Sequence, residues 1–92
     1  MSEYIEIETE MGEDDTKMNV YTNLALSEQG VEQYNSLTEM EEGSPVAQAL
    51  SVIDGIMSLQ LNGGEMLITR HPDAEWHAII ADVSAALKDF FL

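Results

Sequence analysis

The sequence has no cysteine, only three lysine and arginine residues, and few aromatic residues. The absence of cysteine excludes disulfides, thiolate metal ligands and thiol catalysis. Against the three basic residues stand 18 aspartate and glutamate residues, and the resulting net charge of -15 repels nucleic-acid phosphates and anionic lipid. The charge indicates either a surface adapted to high salt or a basic protein partner. Because the acidic residues are spread along the chain, the sequence favours salt adaptation.

Long hydrophobic runs are also missing. No run approaches the ~18 apolar residues of a membrane-spanning helix, and the N-terminal sequence Met1-Ser2-Glu3-Tyr4 lacks the basic-then-apolar pattern of a signal peptide. We therefore expect a cytoplasmic protein. The chain has 92 residues, of which 45% are hydrophobic, so we expect one core and a single domain spanning residues 1–92.

The first quarter of the chain predicts a β-hairpin. Residues 4–10 alternate apolar and acidic side chains, as a strand with one buried face requires, and Ile5, Ile7 and Thr9 should point inward. Residues 11–16 have turn composition, and residues 17–22 return as the second strand, with Met18 and Val20 inward.

Residues 23–42 have a weaker pattern. Residues 31–35 are compatible with a short edge strand, and residues 37–42 with a helical turn. The acidic cluster Glu39, Glu41 and Glu42 is most simply a solvated rim.

The second half is better specified. Ser44 before Pro45 predicts a helix start, because the serine oxygen caps free amides and proline lacks the N–H that this position does not need. About ten helical residues should follow, ending at Gly55. Residues 56–61 and 65–70 then predict a second hairpin around the turn Asn62-Gly63-Gly64, with Met57, Leu59 and Leu61 sharing one face.

The last helix should begin at Pro72-Asp73, with Asp73 as its N-cap. Its apolar residues form one continuous stripe, which must cover a sheet: Trp76, Ile79, Ile80, Val83, Leu87, Phe90 and Phe91. The element order ββ(β)αββα predicts an α+β two-layer sandwich, in which a mostly antiparallel sheet of four or five strands carries two helices on one face.

Several segments of the second half together form a family pattern: the helix start Gly43-Ser44-Pro45, the helix exit Ile53-Asp54-Gly55-Ile56, the strand 66–69, Trp76 and the closing Phe90-Phe91. In this order and spacing they resemble the N-terminal domain of the Nfu/NifU-type iron–sulfur scaffold proteins, over residues 43–92. Residues 12–16 depart from the turn that the family carries after its first strand.

The resemblance implies a stand-alone, non-catalytic accessory module that contacts iron–sulfur assembly factors or their client proteins. In the full-length scaffold proteins a Cys-x-x-Cys motif in a separate domain holds the cluster. This chain has no thiolate to ligate iron, so the resemblance implies no cluster and no other cofactor.

Candidate sites each have a plainer alternative. His71 and His77, near Asp73 and Glu75, could hold a divalent metal, but no third ligand is evident and a surface pair is the simpler interpretation. The acidic residues of the first turn could bind calcium loosely or form a solvated hairpin tip; they are Glu10, Glu13, Asp14 and Asp15. Gly63-Gly64 predicts a hairpin turn rather than a phosphate cradle, because a strand follows it.

The aromatic residues of the last helix are the candidates for an interaction site. The position of Trp76 in the stripe favours a core role, whereas Phe90 and Phe91, close to the C-terminus, are candidates for contact with a partner. No nucleophile with a base, and no pair of carboxylates in a cleft, can be placed, so we expect no catalysis. Two alternatives stay open: a small metal-dependent or carboxylate-based enzyme that uses His71 and His77, and a structural subunit that self-associates through the edge strand at residues 31–35.

Overall fold

A computed structural model of the chain describes residues 5–27 and 30–91. Its elements are β1 (Ile7–Met11), β2 (Lys17–Thr22), β3 (Val31–Tyr34), α1 (Leu37–Glu41), α2 (Pro45–Leu50), β4 (Ile56–Asn62), β5 (Glu65–Arg70) and α3 (Trp76–Phe91). The α+β class and the order expected from the sequence are confirmed, and α1 realises the helical turn expected at residues 37–42. Tyr4, at which the first strand was expected to begin, lies outside the described residues.

The strands form one antiparallel sheet in the order β1-β2-β5-β4-β3. Residues directly opposite one another in an antiparallel pair project to the same face of the sheet. Val20 of β2 lies opposite Met66 of β5, and Met66 lies opposite Leu61 of β4. All three side chains are buried, so this face of the sheet is the inner one.

The helices cover that inner face. Leu50 of α2 and Ile79, Val83 and Leu87 of α3 belong to the same buried cluster as the inward strand residues. The three α3 residues recur every fourth position and so lie on one side of the helix. Burial of a side chain of this size contributes about 1.5–3 kcal/mol to stability. The stripe predicted for the last helix is therefore confirmed as a core face from Ile79 to Leu87.

The expectation that Met57 shares the buried face with Leu59 and Leu61 is wrong. The pairing of β4 with β5 shifts register between Ile56 and Ser58, so β4 carries one extra residue there, as a β-bulge does. The bulge reverses the alternation: Ile56 is buried and Met57 is 47% exposed.

The expectation that Asp73 caps the last helix is also wrong. The Ala74 N–H donates to the His71 carbonyl at 2.9 Å, which closes a turn that contains Asp73. The Ile79 N–H donates to the Glu75 carbonyl at 3.1 Å, and α3 begins at Trp76. The chain therefore makes one turn after β5 before the helix starts.

Two further differences are smaller. α2 ends at Leu50 rather than near Gly55, because the Ser51 N–H turns back to the Gln48 carbonyl at 3.2 Å and tightens the last turn. Ile5 and Ile7 pack against the core as expected, but Thr9 is exposed although it lies opposite Val20, since β1 is an edge strand.

Within the described ranges, no helix has both the length and the apolar character needed to cross a membrane.

Candidate functional site

A groove opens where the end of α3 meets the start of α2 and strand β3. Its volume is about 300 Å³, and its lining residues are Ala25, Leu26, Glu32, Ser44, Pro45, Val46, Phe90 and Phe91. We call it the helix-end groove. Most of its lining is apolar, and Glu32 is its only charged lining residue among the parts of the chain that the structure describes.

The last turn of α3 supplies the aromatic wall of the groove. Leu87 is fully buried, but one turn later Phe90 is 43% exposed and Phe91 is only partly buried against the core. The two rings contact each other edge to face, with centroids 4.9 Å apart. The stripe thus continues past the core and leaves aromatic surface in contact with solvent.

The start of α2 forms the opposite wall. Ser44 caps the helix as the sequence predicted, and its hydroxyl oxygen accepts the Ala47 N–H at 3.4 Å. Pro45 occupies the first turn, and Val46 behind it is buried. Proline at this position removes no hydrogen bond from the helix, so an apolar ring can face the groove at no structural cost.

Residues 23–26 close the groove on a third side. This segment is held by the turn between β4 and β5, because the Leu26 N–H donates to the Gly63 carbonyl at 2.8 Å. Gly63 has a φ of +62°, which glycine adopts without strain. Gly63 and Gly64 therefore form the predicted hairpin turn, and they also support the groove.

Glu32 and Tyr34 form the polar part of the site. They lie two residues apart on β3 and so share the inner face of the sheet. The Tyr34 hydroxyl donates to the Glu32 carboxylate and accepts the Ser44 N–H at 3.2 Å. The Tyr34 ring also explains Gly43, since a Cβ at that position would lie 2.3 Å from a ring carbon of Tyr34.

These hydrogen bonds fix the charge of Glu32. Donation by Tyr34 lowers the pKa of Glu32 below its ordinary value, and the hydroxyls of Ser44 and Ser27 act in the same direction against the opposing effect of burial. A hydrogen bond to the ionised form stabilises that form. Glu32 is therefore ionised at neutral pH, inside a mainly apolar groove.

The two histidines do not come together with other ligands. His77 Nε2 lies 3.3 Å from Glu75, and His71 Nδ1 lies 3.8 Å from Asp73, with all four side chains largely exposed. Within residues 5–27 and 30–91, no group of three or more histidine, aspartate or glutamate residues is arranged to hold a metal.

The acidic turn between β1 and β2 has a structural role. Asp14 accepts the Thr16 N–H at 2.8 Å and the Thr16 hydroxyl, and these bonds lower the pKa of Asp14. The neighbouring Asp15 carbonyl accepts the Trp76 indole N–H at 2.6 Å and the Arg70 Nε–H at 2.9 Å. The turn is thus fastened to the start of α3.

Trp76 combines two roles. Its ring packs against the core, as the sequence predicted, while its N–H reaches Asp15 and the Arg70 guanidinium lies 6.0 Å from the ring centroid. The Arg70 Nη1 group also donates to the carbonyls of His71, Pro72 and Ala74, at 3.0, 2.9 and 3.1 Å. Arg70 and Trp76 together hold the beginning of α3 in place.

Sequence reasoning found part of the groove and missed the rest. Phe90 and Phe91 were candidates for an interaction, and the structure places them side by side in the groove wall. Glu32 was missed, because in the sequence it is one acidic residue of a weak strand. The available signal was the spacing of Glu32 and Tyr34, which puts a carboxylate and a hydroxyl on one face of that strand.

The chain matches a known protein family over nearly its whole length. Residues 7–92 match the family model described as scaffold protein Nfu/NifU N terminal. The crystal structure of protein SAV1430 from Staphylococcus aureus has a similar fold, with a TM-score of 0.71 over 88% of this chain and 96% of that chain. At 12% sequence identity this likeness concerns the fold alone. No curated protein sequence matches the chain.

Proposed function

This chain belongs to the family of Nfu/NifU scaffold-protein N-terminal domains, and from that membership we propose that it is a non-catalytic protein-interaction module in iron–sulfur protein maturation. It is a single domain that lies in the cytoplasm, contacts assembly factors or their client proteins through the helix-end groove and holds no cofactor of its own. The groove residues Phe90 and Phe91 make the contact.

The observation that carries this proposal is the exposed aromatic wall of the groove. Phe90 is 43% exposed and lines the groove beside Phe91, so the groove presents aromatic surface on a chain whose net charge is -15. Aromatic side chains are enriched in the centres of protein interfaces, and charged residues are depleted there. A partner with a basic surface and an apolar side chain to insert fits both features, and the opposite charges accelerate their encounter.

Affinity capture tests the proposal. The chain is immobilised, lysate of the organism that encodes it is passed over at low and high salt, and bound proteins are quantified by mass spectrometry. We expect iron–sulfur assembly proteins or cluster-carrying proteins to be enriched on the unmodified chain and lost on Phe90→Ser. Because Phe90 is already exposed, this variant should fold normally.

The matched control is Val52→Ser, which removes an apolar side chain that is 80% exposed and does not line the groove. It should retain the same proteins as the unmodified chain. Enrichment of proteins unrelated to iron–sulfur maturation, or equal capture by Phe90→Ser and Val52→Ser, would contradict the proposal.

A second candidate function is self-association, because β3 is an edge strand of the sheet and its Val31 is 58% exposed. An edge strand can pair with a second copy. Sedimentation at increasing concentration would then show dimers that Val31→Pro abolishes. The enzyme alternative gains no such support, since His71 and His77 each face a separate exposed carboxylate.

A further inference from the structure

We propose that the helix-end groove is a receptor for one arginine side chain of the partner, with the guanidinium at Glu32 and the aliphatic stem against Phe90 and Phe91. This inference rests on the proposed function, because it takes the partner to be a protein. It adds the chemical class of the residue that the groove selects.

No cation of the described residues compensates the charge of Glu32. Its carboxylate accepts the Tyr34 hydroxyl, but none of the salt bridges formed by the described residues includes it. Arg70 is engaged with Asp15 and with the turn before α3. A half-buried carboxylate whose donor among the described residues is a neutral hydroxyl is a strong acceptor for a cation supplied from outside.

The Glu32 carboxylate can accept further hydrogen bonds. An ionised carboxylate can accept about four hydrogen bonds. Among the described residues, the Tyr34 hydroxyl donates a hydrogen bond to it. At least one acceptor position is therefore open to an incoming N–H donor, and a guanidinium presents several donors in a planar fork.

The walls of the groove suit the stem of an arginine side chain. Phe90 and Phe91 offer ring surface in two orientations, since their planes are inclined by 68°. The methylene groups of an arginine stem pack on such apolar surface, which leaves the guanidinium at the end of the stem free to reach Glu32. Ala25 and Pro45, which are exposed, extend that apolar surface on the other sides of the groove.

The groove also has a suitable size. A volume of about 300 Å³ lies at the lower end of small-molecule pockets. It suits one long side chain better than a folded segment. The strong negative charge of the chain then favours a site that lies among other basic residues of the partner.

Nuclear magnetic resonance titration of the labelled chain tests the proposal. The probes are three capped pentapeptides that are identical except at the central residue, which is arginine, lysine or the neutral isostere citrulline. We expect the arginine peptide to shift the ring signals of Phe90 and Phe91 and the carboxyl signal of Glu32. We expect binding to weaken about tenfold for citrulline, the effect of losing one charge-assisted hydrogen bond, and less for lysine.

Two isosteric variants separate the groove from the general charge. Glu32→Gln should weaken binding of the arginine peptide about tenfold and leave binding of the citrulline peptide unchanged. Glu13→Gln removes the same charge at the exposed β1–β2 turn and should change the binding of neither peptide. Any of three results would overturn the proposal: equal effects of the two variants, shifts spread over the acidic surface, or tighter binding of the lysine peptide than of the arginine peptide. If Glu32→Gln unfolds, Phe90→Ser replaces it, with the same expectation of weaker arginine binding.

The outcomes distinguish this inference from the proposed function. If the peptides do not bind at Glu32 while iron–sulfur proteins are still captured through Phe90, the arginine receptor is wrong and the proposed function stands. If the arginine peptide binds at Glu32 but the captured proteins have no relation to iron–sulfur maturation, the arginine receptor stands and the proposed function is wrong.

Discussion

Gly55 offers the sharpest test of how α3 is positioned. Its φ is +97°, in the left-handed region, and a Cβ added there would lie 2.8 Å from the Ala74 Cβ and 3.3 Å from the side chain of Ile79. The Gly55 carbonyl also accepts the His71 N–H at 2.7 Å. Gly55 therefore needs to be glycine for two separate reasons, one in the backbone and one in the packing.

The cost of Gly55→Ala follows from these two reasons. Left-handed backbone costs a residue with a Cβ about 1–2 kcal/mol, and forcing an extra methyl group into a packed site costs about 1–3 kcal/mol. Alanine also restricts the unfolded chain more than glycine does, and this effect offsets about 0.4–1 kcal/mol of the destabilisation. We expect the free energy of unfolding to fall by about 1–5 kcal/mol, with a central value of about 3 kcal/mol. At that central value the Tm of a domain of this size should fall by about 12–24 °C.

Gly30→Ala is the matched control. Gly30 has the same φ of +97°, but no described atom lies within 4 Å of an added Cβ. It should therefore lose only the backbone contribution, about 1 kcal/mol. Urea unfolding, followed by circular dichroism and Trp76 fluorescence, measures both variants. Equal destabilisation of the two would refute the packing of Gly55 against the start of α3.

Three further predictions concern charge. Arg70→Met should lower the free energy of unfolding by about 2–3 kcal/mol, because it removes charge-assisted hydrogen bonds to the turn before α3. Urea unfolding measures the loss. A change below about 0.5 kcal/mol, the usual size for an ordinary surface site, would contradict this prediction. Tyr34→Phe should raise the pKa of Glu32 towards its ordinary value, as seen in a carboxyl NMR titration. The pKa of Glu32 is depressed in the folded state, so its stabilisation is complete above the unfolded value of about 4.3 and is lost as the pH falls through the folded value; Tyr34→Phe should weaken this acid dependence. Raising NaCl from about 0.05 to 1 M should raise the Tm, since salt screens the self-repulsion of a chain with a net charge of -15, and an unchanged Tm would show that this repulsion does not oppose folding.

Much of the fold could be predicted because its signals are local. Alternation identified β1 and β2, and the pair Ser44-Pro45 identified the start of α2. The errors arose where local pattern and tertiary pairing disagree. A β-bulge adds one residue to a strand and has no characteristic residue type here, so the sequence near Met57 does not indicate that its side chain points outward.

The groove could be predicted only in part. Phe90 and Phe91 continue the stripe of α3, and their nearness to the chain end was the only sign of exposure. Glu32 gains its role from Ser44, ten residues beyond Tyr34 in the sequence, through the Tyr34 hydroxyl. That contact depends on the path of the chain through α1, which no residue spacing specifies.

The position of the groove follows from how α3 is held at its other end. Gly55, Arg70 and Trp76 fix where the helix begins, and Ile79, Val83 and Leu87 fix which side faces the sheet. With both set, a helix of 16 residues, about 24 Å long, must carry its last turn beyond Leu87 to the start of α2. The aromatic wall is therefore placed by contacts a helix length away from it. A change at the start of α3 should disturb stability and binding together, whereas Glu32→Gln should mainly weaken recognition and lose only the stability that the ionised carboxylate contributes.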